Sequence, residues 1–147
     1  MNLKNLFKYI RFNSSSDNNV QEILSLYDED DYKKYIEIDK NKKYTKKLIY
    51  RNESFEIFII TWNIDVQSNI HDHSENGCFL KLLEGSLTEN RYGVKTKELF
   101  SSKCIEKNEI TYIDNNIGLH DIINNNKNNI SVSIHVYSPI NHITKYY

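Results

Sequence analysis

Surplus charge is almost absent from this chain: 19 Lys and Arg stand against 20 Asp and Glu, a formal net charge of -1. That balance leaves no basic footprint for nucleic acid and no polybasic patch for a membrane surface. Long apolar runs are missing too, and none approaches the length of a membrane span. Cysteine occurs twice, as Cys78 and Cys104, and proline once, as Pro139. The opening stretch MNLKNLFKYIRF is interrupted by Lys4, Lys8 and Arg11 and does not read as a signal peptide. Without an export signal, the thiols are expected to be reduced and the protein cytoplasmic. No motif surrounds Cys104, so it is expected as a small buried hydrophobe.

What is present is enough for one domain with a core: 147 residues, 39% of them hydrophobic and 12% aromatic. Residues 1–45 read as a helical part. Leu3, Leu6, Phe7 and Ile10 recur at helical spacing. The stretch SSSDNNV (14–20) is a break rich in N-cap residues, and VQEILSLYDEDDYKKYIEI resumes the helical pattern. From Lys46 onward the texture changes. SFEIFIITW, CFLKLLEG, SLTENRYGV, EITYIDN, LHDII and ISVSIHVYS are short β-rich runs between turns such as NIDVQSN and NNNKNN. Six or more short strands without intervening helices predict an antiparallel sandwich or barrel over 46–147.

One stretch concentrates the chemistry. In NIHDHSENGCFLKLLEG, His71 and His73 are two apart, and a strand would aim both imidazoles to one side with Asp72 opposite. Two such histidines hold a metal if a third ligand comes from elsewhere; in an arbitrary sequence they would be surface residues. Here Cys78 follows His73 after four residues and Gly85 follows Cys78 after six. This resembles the first cupin motif, His-x-His-x4-Glu-x6-Gly, with Cys78 in place of the acidic ligand. His120, followed by three residues and then Asn124, resembles the second motif. The resemblance implies a mainly β jelly-roll barrel, a double-stranded β-helix, which agrees with the strand pattern. With no glutamate ligand, three neutral imidazoles would hold one face of the metal and leave the opposite positions open.

HDHSENGCFLKLLEGSLTE, YIDNNIGLHDI and SVSIHVYSP together resemble segments of the eukaryotic-type cysteine dioxygenase family, and weaker similarity runs over nearly the whole chain. The resemblance implies an enzyme that oxidises L-cysteine with O2 to cysteine sulfinate at a mononuclear Fe(II). It assigns His71, His73 and His120 as iron ligands. It matches Cys78 and Tyr137 to a pair that forms a thioether crosslink, and Ser133, His135 and Tyr137 to a hydrogen-bonded trio. At i, i+2 and i+4 of one predicted strand, those three share a face. They also fit a satisfied polar stripe in a barrel core. A Ser–His pair alone would suggest a hydrolase, but no nucleophile elbow or oxyanion loop accompanies it. Ser138-Pro139 matches a cis peptide of the family. Trp62 and Phe79 are expected in the core, and His142, which has no match, on the surface.

Two departures from the family stand out. Family members carry Tyr-Thr-Arg before the first long strand, the arginine gripping the substrate carboxylate; here the residues are Tyr44-Thr45-Lys46. Lysine keeps the charge but loses the planar fork, so the carboxylate should be held more loosely by Lys46 and Tyr44. Arg51 lies close in sequence as a substitute. Family members also continue well past the Ser-Pro pair, so the expected barrel mouth is less covered. The expectation is a monomer with no nucleic-acid or membrane partner, taking a small thiol and O2. The alternatives are a dioxygenase for cysteamine or 3-mercaptopropionate, and a cupin that binds metal or thiols without catalysis.

Overall fold

The computed structural model describes residues 1–147 and is mainly β, as the strand pattern predicts. Nine strands follow the helical part: β1 (Tyr44–Arg51), β2 (Glu56–Trp62), β3 (Val66–Gln67), β4 (Gly77–Glu84), β5 (Leu87–Tyr92), β6 (Leu99–Ile105), β7 (Ile110–Ile113), β8 (Leu119–Asn124) and β9 (Ser131–Ser138). All pairings are antiparallel. One sheet runs β1-β2-β9-β4-β7 and the other β3-β8-β5-β6. Between them, Ile60, Trp62, Leu80, Leu82, Leu87, Ile105 and Ile122 form the inner core.

The central strands β2, β9 and β4 of the five-stranded sheet are buried on both faces, which is why β2 reads as an almost unbroken apolar run. Phe58, Ile60 and Trp62 face the inner core, while Ile57 and Ile59 face a second cluster built with the amino-terminal helices. β9 alternates differently. Val132, Ile134 and Val136 join the outer cluster, leaving Ser133, His135 and Tyr137 on the inner face. No helix is long and apolar enough to cross a membrane.

The helices are α1 (Leu3–Tyr9) and α2 (Val20–Leu26), with a 3-10 turn at Asp31–Tyr35. The helical pattern predicted through Ile38 therefore stops early. Four consecutive acids, Asp28 to Asp31, follow α2, where the negative end of the helix disfavours them. Lys81 of β4 then caps the end. Its buried ammonium donates to the carbonyls of Leu24 (2.7 Å) and Tyr27 (2.5 Å). The Tyr27 hydroxyl donates to Asp31 Oδ1 at 2.6 Å, and Asp31 Oδ2 accepts from the Leu3 amide at 2.8 Å. Seven-residue helices do not persist alone; these are held by that network and by Leu3, Leu6, Val20, Ile23 and Leu24 in the outer cluster.

Further details differ from the sequence expectations. β1 begins at Tyr44, so Tyr44 and Lys46 lie within the first strand rather than before it. β6 was not anticipated; it is a sheet edge with mostly exposed residues, so no apolar alternation marks it. It carries Cys104, which is exposed rather than buried. Gly85 has φ +80°, a left-handed conformation that suits glycine, and a Cβ there would meet the Ile130 carbonyl at 2.9 Å. Asn124 closes a turn, donating to the carbonyls of Asn63 (3.0 Å) and Asn129 (3.2 Å). The Ser138–Pro139 peptide is cis.

Candidate active site

His71 and His73 lie on the connector between β3 and β4, not inside a regular strand. The connector is nonetheless held like one. The His71 amide donates to the His120 carbonyl (3.0 Å) and the His120 amide to the His71 carbonyl (3.3 Å), a single bridge to β8. Asn115 clamps the other end: its Oδ1 accepts from the His73 amide (2.9 Å) and its Nδ2 donates to the His73 carbonyl (3.0 Å). The three imidazoles therefore converge, with candidate ligand nitrogens all within 4.8 Å of one another.

Hydrogen bonds fix which nitrogen of each ring is bare. His71 Nδ1 is 2.7 Å from the Asn69 carbonyl, which can only accept, so Nδ1 carries the proton. His120 Nδ1 is 2.7 Å from Glu89 Oε2, whose other oxygen takes the Arg91 Nε proton at 3.0 Å. Glu89 is 3% exposed; burial raises its pKa and the neighbouring Arg91 works against that rise. Both Nε2 atoms are thus lone pairs, and they lie 3.0 Å apart. Both ring nitrogens of His73 are buried without a partner. Burial, and then the neighbouring imidazoles, push the His73 pKa down to about 2; burial also lowers His71 and His120. Three neutral donors with facing lone pairs repel each other unless a cation lies between them. Imidazoles oriented by a carbonyl and a carboxylate are the donor set that a first-row divalent metal takes.

The histidines open on a cavity of about 90 Å³ lined by residues of both sheets. β9 supplies its inner face. Trp62 Nε1 donates to Ser133 Oγ at 3.0 Å, and Ser133 Oγ is 2.7 Å from His135 Nε2. Ser133 has one proton, and giving it to His135 Nε2 satisfies every group in this buried row. His135 Nδ1 then carries a proton and donates to the Tyr137 hydroxyl oxygen at 3.1 Å. The Tyr137 hydroxyl proton is left to point into the cavity. Cys78 of β4 is the register partner of Tyr137, and its Sγ lies 3.8 Å from His135 Nδ1. Burial pushes the Cys78 thiol up to about 12 and holds the Tyr137 pKa well above its ordinary value, so both keep their protons.

Lys46 reaches the cavity from β1. As a whole residue it is exposed, but its ammonium lies 4.3 Å from the Phe58 ring centre and 4.5 Å from that of Tyr137. Loss of water there lowers its pKa. Tyr44 lines the same cavity, its ring 4.8 Å from that of Trp62. Arg51 does not line it; it binds Asn141 at the surface and stands 3.9 Å from Glu56. The carboxy-terminal segment covers part of the mouth, with His142, Thr144 and Tyr146 among the lining residues. Asp72 Oδ1 holds that segment, accepting from His142 Nε2 (3.0 Å) and the Lys145 amide (2.8 Å). His142 is therefore half-buried rather than on the open surface.

The sequence reading missed Glu89, Asn69 and Asn115, which orient the histidines, and took Trp62 as core only. One signal was available. β5 alternates from the buried Leu87, so Glu89 at i+2 had to face inward too.

A double-stranded β-helix with three imidazoles converging inside it is the architecture of a cupin. Solved structures agree on the fold. The chain matches a conserved protein with a double-stranded β-helix domain from Klebsiella pneumoniae (TM-score 0.65, 82% of this chain and 96% of that one, 9% identity). It also matches a cupin superfamily protein from Desulfitobacterium hafniense (TM-score 0.57, 71% and 84%, 8% identity). Within that class the sequence is specific: the profile of cysteine dioxygenase type I matches residues 2–147, and the chain belongs to that family. The human cysteine dioxygenase type 1 is 34% identical over 128 residues, 82% of this chain and 64% of the human protein. The Danio rerio protein is 31% identical over 146 residues, 93% of this chain and 72% of that one.

Proposed function

We propose that this chain oxidises L-cysteine with O2 to cysteine sulfinate, adding both oxygen atoms to sulfur, at one Fe(II) held by His71, His73 and His120. The observation that carries this reading is the set of partnerless imidazole nitrogens facing one cavity beside the Cys78–Tyr137 pair. Iron, when bound, supplies a Lewis acid that lowers the thiol pKa and a redox-active centre for O2.

The chain's own residues do the rest. Glu89 and the Asn69 carbonyl fix the tautomers of His120 and His71. Lys46, with Tyr44, receives the substrate carboxylate and so orients the thiol. The row from Trp62 through Ser133 and His135 leaves the Tyr137 proton free to donate to substrate or O2. Cys78 and the Tyr137 ring form a thioether when an S–H and a ring C–H are lost and the two hydrogens pass to O2 as oxidant.

A second reading, a dioxygenase for another small thiol, is favoured by Lys46, which lacks the fork that grips a carboxylate. Metal analysis and O2 consumption over cysteine, cysteamine and 3-mercaptopropionate decide between them. Near-stoichiometric iron and fastest O2 uptake with cysteine are expected. Faster uptake with another thiol installs the second reading. Iron and thiol binding with no O2 uptake leaves a binding cupin.

A further inference from the structure

All five histidines of the chain line one cavity, and four of them are committed. His71 and His120 engage Nδ1 with the Asn69 carbonyl and Glu89, and His73 completes the ligand cluster with them. His135 is closed by Ser133 at one nitrogen and by Tyr137 at the other. His142 differs. Its Nε2 lies 3.0 Å from Asp72 Oδ1, a carboxylate oxygen that can only accept, so Nε2 carries the proton and Nδ1 keeps its lone pair. No protein group bonds Nδ1. The side chain is 24% exposed and borders cavity and solvent alike.

A thiol that enters this cavity brings a proton that must leave. The ordinary thiol pKa is about 8.5, so at pH 7 only about one molecule in thirty is already thiolate, the form that binds a metal. The charged groups lining the cavity are poor takers for that proton. Lys46 is a cation, Glu56 is paired with Arg51, and Asp72 is spent on His142 and the Lys145 amide. We propose that His142 is a further catalytic residue, the general base that takes the substrate's thiol proton, with Asp72 behind it. The inference rests on the thiol dioxygenase reading. The S–H bond breaks, its electron pair stays on sulfur, and the proton passes to Nδ1. The imidazolium is held against the Asp72 carboxylate while the thiolate is bound, then returns the proton to water through its exposed edge.

The test uses His142→Gln, which removes the base but keeps an N–H for Asp72. Anaerobic calorimetry of cysteine binding to the iron-loaded protein, in two buffers of different ionisation heat, counts the protons released. At pH 7 the variant should release more protons to the buffer than the wild type, by up to about one per site, because none is retained on residue 142. In O2 consumption, kcat/KM of the variant should fall about tenfold at pH 7 and converge on the wild type above about pH 9, where the thiol ionises unaided. An unchanged proton count, or a loss of equal size at every pH, makes His142 a latch for the carboxy-terminal segment and overturns the proposal while the dioxygenase reading stands. If the proton count shifts but no thiol drives O2 uptake, the His142 assignment stands and the dioxygenase reading falls. If cysteine does not bind, both fall.

Discussion

At the scale of single residues, the decisive feature is two bare imidazole nitrogens 3.0 Å apart with a third imidazole, wholly unpartnered, beside them. Removing one donor leaves too few ligands, so His120→Ala should purify with little iron and consume no O2. Metal analysis checks this, and near-stoichiometric iron in that variant would end the three-histidine assignment. Glu89→Gln tests the support instead. It keeps the shape but weakens the acceptor for His120 Nδ1, and losses of about 10- to 100-fold in metal affinity accompany such changes. The Cys78–Tyr137 pair gives a second residue-level prediction. After exposure to iron, cysteine and O2, mass spectrometry should find a crosslinked peptide lighter by two hydrogens. Cys78→Ser should lack it yet retain substantial activity, because the thiol donates to no metal in this arrangement. Finding only unmodified peptides in the wild type would remove the crosslink from the mechanism.

Among elements, α2 shows how one side chain fixes an end. Lys81 is buried and its ammonium is spent on two carbonyls. Lys81→Met keeps the stem but leaves the Leu24 and Tyr27 carbonyls short of a donor. Hydrogen bonds from a charged group contribute about 1.5–3 kcal/mol, so the urea midpoint should fall by a corresponding amount with the m-value unchanged. The same element explains where sequence reasoning fell short. The periodicity of residues 20–38 is helical; the acids after α2 oppose its continuation locally, but the cap on its end comes from Lys81 of β4, and no local pattern carries that contact. β2 and β9 were legible because burial on one or both faces writes itself into alternation. β6 was not, because an exposed edge imposes no pattern. Spacing brought out His71, His73 and Cys78, yet not the reason the connector holds its shape, since Asn115 and β8 supply that from a distance.

For the whole molecule, burial of neutral imidazoles sets the response to acid. His71, His73, His120 and His135 all have lowered pKa values, with burial the chief cause. They bind protons less readily folded than unfolded, so the unfolded state holds more protons below the ordinary imidazole value of about 6.5. The chelated protein should therefore hold its stability above pH 7 and lose it as pH falls through 6.5. Each fully shifted histidine adds a slope of up to about 1.4 kcal/mol per pH unit. Equal urea midpoints at pH 7.5 and pH 5.5 would contradict this. The carboxy-terminal segment has a consequence of its own. It is zipped to the edge of the connector opposite β8: the Tyr147 amide donates to the Ile70 carbonyl (2.9 Å) and the Lys145 amide to Asp72. If an ion at the three histidines firms the connector, metal occupancy and tail docking become linked equilibria, each shifting the other by the same free energy. Adding iron should slow hydrogen exchange at the Lys145 and Tyr147 amides, and unchanged rates would show the two to be independent. Slower exchange would make a segment some 70 residues downstream of the ligands a reporter of whether the ion is in place.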